Sequence, residues 1–234
     1  DRDVSEFPAN YYTTDAFTDH AIECVNKFAR TDRPFFVHVC YTAPHYPLHA
    51  KPADIKKYTG KFMMGWDKMR EQRHERMVKM GLIDPKWKLS GRDSRAYDWE
   101  SANHDHEDLR MAVYAAMIDS MDQNIGRLMA ALRKSGEADN TLVLFLSDNG
   151  GCAEEPGGRS PKIVPGPKEF YAAVGPSWGW AQNAPFRRYK SWAHEGGVAT
   201  PCIAWWPGRV PTGSITKEVG HIIDFLPTFL ELAG

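Results

Sequence analysis

An α/β layered domain is the architecture that this sequence predicts, and three observations predict it. Two apolar runs, Pro34–Cys40 and Thr141–Ser147, are dense in β-branched and aromatic residues and read as strands buried on both faces, as in a parallel sheet. Leu109, Val113, Met117, Met121, Ile125, Leu128 and Leu132 form one stripe that marks a long helix over 107–135. Helical and strand-like segments alternate along the chain, with no internal repeat and no low-complexity tract.

The elements follow in order. Phe17, Ala21, Cys24, Val25 and Phe28 recur at helical spacing over 14–30, with Thr14 or Asp15 as the expected cap. The strand at 34–40 runs into a loop of Pro, His and Tyr over 41–52. From about 55 to 107 the chain turns rich in Met, Trp, Arg and Lys without a strand-like run, which predicts a peripheral helical insertion. Its stripe of Phe62, Trp66, Met69, Met77 and Met80 is expected to serve packing rather than binding. Gly136 is the expected stop of the long helix. After the strand at 141–147 comes a Gly-, Pro- and Trp-rich loop over 152–184. Strands are then expected at 200–206 and 219–223. A closing helix starts at Phe225, with Pro227 in its first turn.

Composition narrows the function classes. The 234 residues are 42% hydrophobic and 25% charged, an ordinary globular balance, and the formal net charge of -1 offers no general attraction to nucleic acid or an anionic membrane. No apolar stretch is long enough to cross a bilayer. The four cysteines lack any C-x-x-C pair, so a structural zinc site is not expected. Cys24, Cys40 and Cys202 read as buried small hydrophobes, with a single disulfide left open.

Three segments carry the chemistry. Asp148-Asn149-Gly150-Gly151 follows the strand at 141–147, where α/β sheets place their crevices, and offers a carboxylate and an amide oxygen to a hard cation such as calcium or magnesium. The same four residues also suit a plain turn. His45, in Ala43-Pro44-His45-Tyr46-Pro47, follows the other buried strand and is placed to bind an anion or hand a proton to a leaving oxygen; a surface loop histidine is the plainer alternative. His49 is expected to belong to the loop only. Lys190 precedes Glu195-Gly196-Gly197 and presents a point charge suited to a sulfate or phosphate oxygen, although with Arg187 and Arg188 it also fits a solvated basic face. The glycine pair is expected to permit a tight backbone bend.

Each segment is weak alone, but their order is not. A-P-H-x-P, then S-D-N-G-G after an apolar strand, then K-x-x-x-x-E-G-G-V-x-x-P is similar to the pattern of the sulfatase family. Tyr58-Thr-Gly-Lys-Phe with Gly65-Trp66-Asp67 and Arg70 resembles the loop after the histidine in bacterial arylsulfatase-like members. Tyr114 to Asp122 with Gly126 resembles the long helix before the metal strand, and Asp224-Phe-Leu-Pro227 resembles the helix that closes the main domain. The resemblance covers nearly the whole chain. It implies an alkaline-phosphatase-like domain, with a mixed, largely parallel sheet between helices. It also implies a formylglycine nucleophile made within C/S-x-P-S-R, and a calcium ion. Carried over by position, Asp148 and Asn149 are metal ligands, while His45 and Lys190 are catalytic residues that contact the sulfate.

The sequence departs from that pattern in having no C/S-x-P-S-R segment, no Asp-Asp metal pair and no upstream Lys-x-His. The expectation is therefore that residues 1–234 form a partial main domain. It is expected to be incomplete on its N-terminal side, to lack the small C-terminal domain and to carry a helical insertion at about 55–107. Such a chain should be inactive by itself and leave an exposed, aggregation-prone sheet edge. A phosphonate or phosphate ester hydrolase of the same superfamily and a non-catalytic fragment remain the alternatives. The resemblance further implies a small-molecule or carbohydrate sulfate ester as substrate and a periplasmic or secreted location. Trp178, Trp180 and Trp192 are candidate stacking platforms, at least two of them expected to pack instead.

Overall fold

In the computed structural model, which describes residues 6–234, helices carry most of the regular structure. In chain order these are α1 (Thr13–Phe28), α2 (Pro52–Lys56), α3 (Gly65–Lys79), α4 (His104–Ser135), β1 (Val143–Leu146), α5 (Gly175–Gln182), α6 (Glu195–Val198), β2 (Cys202–Trp205) and α7 (Phe225–Ala233). None of the described helices is long and apolar enough to cross a membrane.

Helix α4 forms as its stripe predicts. Asn103 caps it by accepting from the His106 amide, and Gly136 ends it at φ 85°, a left-handed conformation that glycine adopts without a Cβ penalty. Val113, Met117, Met121 and Leu132 are buried, while Leu109, Ile125 and Leu128 are partly covered. Helix α1 packs beside α4, but neither Thr14 nor Asp15 caps it: Tyr12 holds the cap position without a side-chain bond. Asp15 instead accepts from Asn124 of α4 at 2.8 Å and pairs with Lys51 at 2.6 Å, so its carboxylate joins elements rather than ending one.

The main core is aromatic. Trp66 of α3, fully buried, meets Trp178 of α5 edge-on at 5.4 Å and Trp99 at 4.8 Å. Each buried indole finds a hydrogen-bond acceptor: Trp66 the Tyr97 carbonyl at 3.0 Å, Trp178 the Glu107 carboxylate at 2.9 Å. The Met- and Trp-rich segment is therefore not peripheral, because its α3 supplies the centre of the core. Phe62 and Met69 pack with it, whereas Met80 is 57% exposed. Helix α5 lies inside the stretch expected to be a loop. Its sequence, GPSWGWAQ, has poor helix propensity, and burial of Trp178 and Trp180 overrides it.

The sheet differs most from expectation. Among the described residues it has two strands, β1 and β2, and they run antiparallel from Val143 opposite Trp205 to Leu146 opposite Cys202. The run 34–40 is extended, but among the described residues no strand lies alongside to complete a ladder. Only alternate residues are covered: Phe35 and Val37 pack toward Val25, Leu132 and Ala138, and Phe36 faces outward at 69% exposure. Residues 219–223 form no strand either, and end in a 3₁₀ turn over Ile222–Asp224. The other face of β1 and β2, with Phe145 and Ile203, is open, as is most of α7. Cys40 and Cys202 accordingly emerge exposed rather than buried, and all four cysteines are free thiols.

Because β1 and β2 are antiparallel, the chain between them leaves and returns at one end of the pair. The Thr200 hydroxyl marks that return, donating to the Ser147 carbonyl at 2.9 Å. Everything between, including the Asp148 turn and Lys190, is thereby gathered there.

Trp66→Ala should lower unfolding stability by about 3–5 kcal/mol, as for a fully buried aromatic. Met80→Ala should change it by less than about 0.5 kcal/mol. Urea unfolding midpoints of the two variants separate a core role for α3 from a peripheral one.

Candidate functional site

Two glycine pairs build the frame of the site. The Gly150 amide donates to the Gly197 carbonyl at 3.0 Å, the Gly151 amide to Asn183 Oδ1 at 2.9 Å, and the Lys190 amide to the Gly151 carbonyl at 3.1 Å. A Cβ on Gly150 would run into the Gly196 carbonyl, and one on Gly196 or Gly197 into the carbonyls of Arg188 or Trp192. Glycine is required at these positions because backbone approaches backbone. The 196–197 pair thus serves the tight bend anticipated for it.

This frame sets Lys190 beside His45. Lys190 Nζ lies 2.9 Å from His45 Nε2, across 145 positions of sequence. The histidine loop is held from the other side. The Leu48 amide donates to Ala172, Gly166 donates back to Leu48, and His49 Nε2 bonds the Phe170 carbonyl at 2.8 Å, so His49 belongs to the scaffold. His45 Nδ1 meets the Tyr46 carbonyl at 2.8 Å. A carbonyl only accepts, so Nδ1 carries the hydrogen and the Nε2 lone pair faces the lysine ammonium.

Two further residues complete the cluster. Glu154 Oε1 pairs with Lys190 at 3.6 Å, and the Tyr46 hydroxyl donates to Glu154 Oε2 in a short hydrogen bond. Cys152 Sγ accepts the Glu154 amide at 3.4 Å. The Tyr46 bond, with help from the Lys190 charge, holds the Glu154 carboxyl below its usual range. In turn the carboxylate pushes the Tyr46 phenol up to about 12, and burial pushes the Cys152 thiol up. Sequence reasoning missed Glu154 and Tyr46. They meet across 108 positions, and no local spacing encodes such a contact.

Asp148 and Asn149 lie one turn before the frame, at the end of β1. The Ser147 hydroxyl donates to the Asn149 carbonyl at 2.9 Å. Among the described residues neither the Asp148 carboxylate nor the Asn149 amide side chain has a hydrogen-bond or ion-pair partner, and neither bonds to His45 or Lys190. The structure therefore joins His45 to Lys190 directly and leaves the two oxygen donors without a partner among the described residues, immediately before the Gly150–Gly151 pair. Arg188 is not part of a solvated basic face, since it pairs with the buried Asp93 at 2.8 Å and lies over Trp192. Trp178 and Trp180 are core residues, and Trp192 is 42% exposed.

Comparisons with known proteins identify the family. The family model described as Sulfatase matches residues 2–234. An uncharacterized sulfatase of Schizosaccharomyces pombe is 32% identical over 96% of this chain and 43% of its own length. An arylsulfatase of Klebsiella aerogenes is 30% identical over 97% of this chain and 52% of its own. The chain thus spans about half the length of these relatives or less. Among solved structures, Ps i-CgsB in complex with k-i-k-neocarrahexaose superposes with a TM-score of 0.61 at 26% identity, over 97% of this chain and 35% of that one.

Gly150→Ala should cost about 1–3 kcal/mol or more through backbone overlap. Gly126→Ala, on the open face of α4, should stabilise by about 0.5–1 kcal/mol. Denaturant unfolding of both variants checks the pair. Because the folded Glu154 carboxyl sits below its ordinary value, its contribution to stability is present above the unfolded pKa. It is lost as pH falls through the folded one. Tyr46→Phe should therefore flatten the acid limb of the stability–pH curve.

Proposed function

The chain belongs to the sulfatase family, and from that premise we propose that its protein hydrolyses sulfate esters, with His45 and Lys190 engaging the sulfate group. The observation that carries this reading is the direct Lys190–His45 pair, fixed by the glycine frame next to the Asp148–Asn149 turn. An arriving sulfate ester draws the Lys190 ammonium onto its oxygens as a point charge. His45 Nε2, released from the ammonium, then takes up a proton from water and passes it to the leaving oxygen.

Asp148 and Asn149 suit a hard cation. Both offer oxygen, both side chains lack a partner among the described residues, and β1 holds them at the end of the strand pair. Calcium is the ion this donor set fits, although it takes about six to eight oxygens, so further ligands come from outside this pair. When bound, the ion supplies positive charge next to the developing negative charge of the reaction. The nucleophile, in this reading a formylglycine, has no C/S-x-P-S-R source within these 234 residues. The chain by itself is accordingly proposed to be inactive, and turnover requires a nucleophile supplied from outside it.

The proposed substrate class is a carbohydrate sulfate ester. Trp192, two residues beyond Lys190, offers an exposed indole on which a sugar ring stacks, and a carbohydrate complex is among the similar structures. An exported location, in the periplasm or outside the cell, is proposed on family grounds alone.

Turnover of sulfate esters against matched phosphate esters tests the reading, in a polypeptide that joins this chain to a formylglycine-bearing segment. Sulfate esters should be preferred, and His45→Ala and Lys190→Ala should each lower kcat/KM by about 10²–10⁴-fold. A preference for the phosphate esters would overturn the assignment.

A further inference from the structure

His45, Cys152 and Glu154 each bring one donor atom to a common point, all three within 4.8 Å of one another. We propose that these residues form a zinc(II) site, with three protein ligands and an open fourth position, separate from the oxygen pair Asp148–Asn149. The donor chemistry distinguishes the two. Imidazole, thiolate and carboxylate together suit a borderline-soft ion, whereas two oxygens alone suit a hard one.

Each ligand already has the outer partner that metal ligands need. His45 donates its Nδ1 hydrogen to the Tyr46 carbonyl, which turns the Nε2 lone pair inward. The Tyr46 hydroxyl holds one oxygen of Glu154 and leaves the other free for the centre. The Glu154 amide donates to Cys152 Sγ, which orients the sulfur. A cation already stands beside two of these donors: the Lys190 ammonium, 2.9 Å from His45 Nε2 and 3.6 Å from Glu154 Oε1.

Zinc and Lys190 therefore compete for one place. On binding, the ammonium swings to solvent, Cys152 releases its thiol proton to water, and sulfur, nitrogen and oxygen lone pairs bond the ion. The +2 charge is balanced by thiolate and carboxylate, so no net charge is left behind. No redox partner is needed. Where the sulfatase reading above holds, the same event removes both sulfate-contacting groups at once and makes the site a zinc-sensitive brake. The binding itself does not depend on that reading.

Cobalt(II) titration of the 234-residue chain tests the proposal without any turnover, so its outcome is independent of the sulfatase assignment. A thiolate-to-cobalt charge-transfer band should appear and be bleached by zinc. It should vanish in Cys152→Ser and persist in Cys40→Ser, which removes a cysteine lying beside His38. Tyr46→Phe should weaken binding by about 10–100-fold, as loss of an outer-shell partner does. Lys190→Ala should tighten it by removing the competitor. Circular dichroism confirms that each variant is folded. Absence of the band, its survival in Cys152→Ser, or unchanged affinity in Lys190→Ala would overturn the proposal.

Discussion

Two glycine pairs packed backbone against backbone are the constraint on which this molecule's chemistry depends. Gly150 and Gly151 end the turn after β1, and Gly196 and Gly197 open the short helix before β2. A Cβ at Gly150 would overlap the Gly196 carbonyl, ones at Gly196 and Gly197 the carbonyls of Arg188 and Trp192, and one at Gly151 the Gln182 side chain. The contact is made of hydrogen bonds between main-chain atoms, which have a fixed reach and no rotamers. It therefore positions Lys190 more rigidly than any side-chain contact would. The antiparallel pairing of β1 with β2 serves the same end, because it returns the chain to the point it left.

Behind that frame stands a buried ionic network anchored on α4. Arg110 is 1% exposed, pairs with Glu155 at 2.8 Å and approaches Glu107 at 3.9 Å, while Glu107 accepts from Trp178 of α5. Burial pushes the Glu107 carboxyl up, and the Arg110 charge opposes the shift. Breaking such a pair leaves an uncompensated charge in the interior. Glu155 directly follows Glu154, so the network fixes the loop that carries the cluster around Lys190. The same helix that the apolar stripe announces thus also sets the position of a polar site far from it in sequence.

Periodicity made α1 and α4 legible, since each has a face that repeats at helical spacing, and Pro227 in its first turn marked α7. The motifs made Asp148, Asn149, His45 and Lys190 legible as candidates, and the structure adds the direct contact between the last two. What stayed hidden has physical causes. Helix α5 is stabilised by burial of two tryptophans against the poor helix propensity of its glycines and proline, and propensity cannot report tertiary packing. The run 34–40 has strand composition, but a strand exists only through its neighbour, and none flanks it among the described residues. Orientation of the strand pair, like the Tyr46–Glu154 contact, is set by the path of the intervening chain and leaves no trace in local pattern.

The indoles of Trp66, Trp99 and Trp178 lie 4.8–6.0 Å apart, at interplanar angles from 71° to 88°. Rings held so close and so nearly perpendicular give the interior a chiral optical signature of its own. Because Trp66 comes from α3, Trp178 from α5 and Trp99 from the turn before α4, near-ultraviolet ellipticity reads the docking of three separate segments at once. The molecule thus carries an intrinsic gauge of whether its core is assembled.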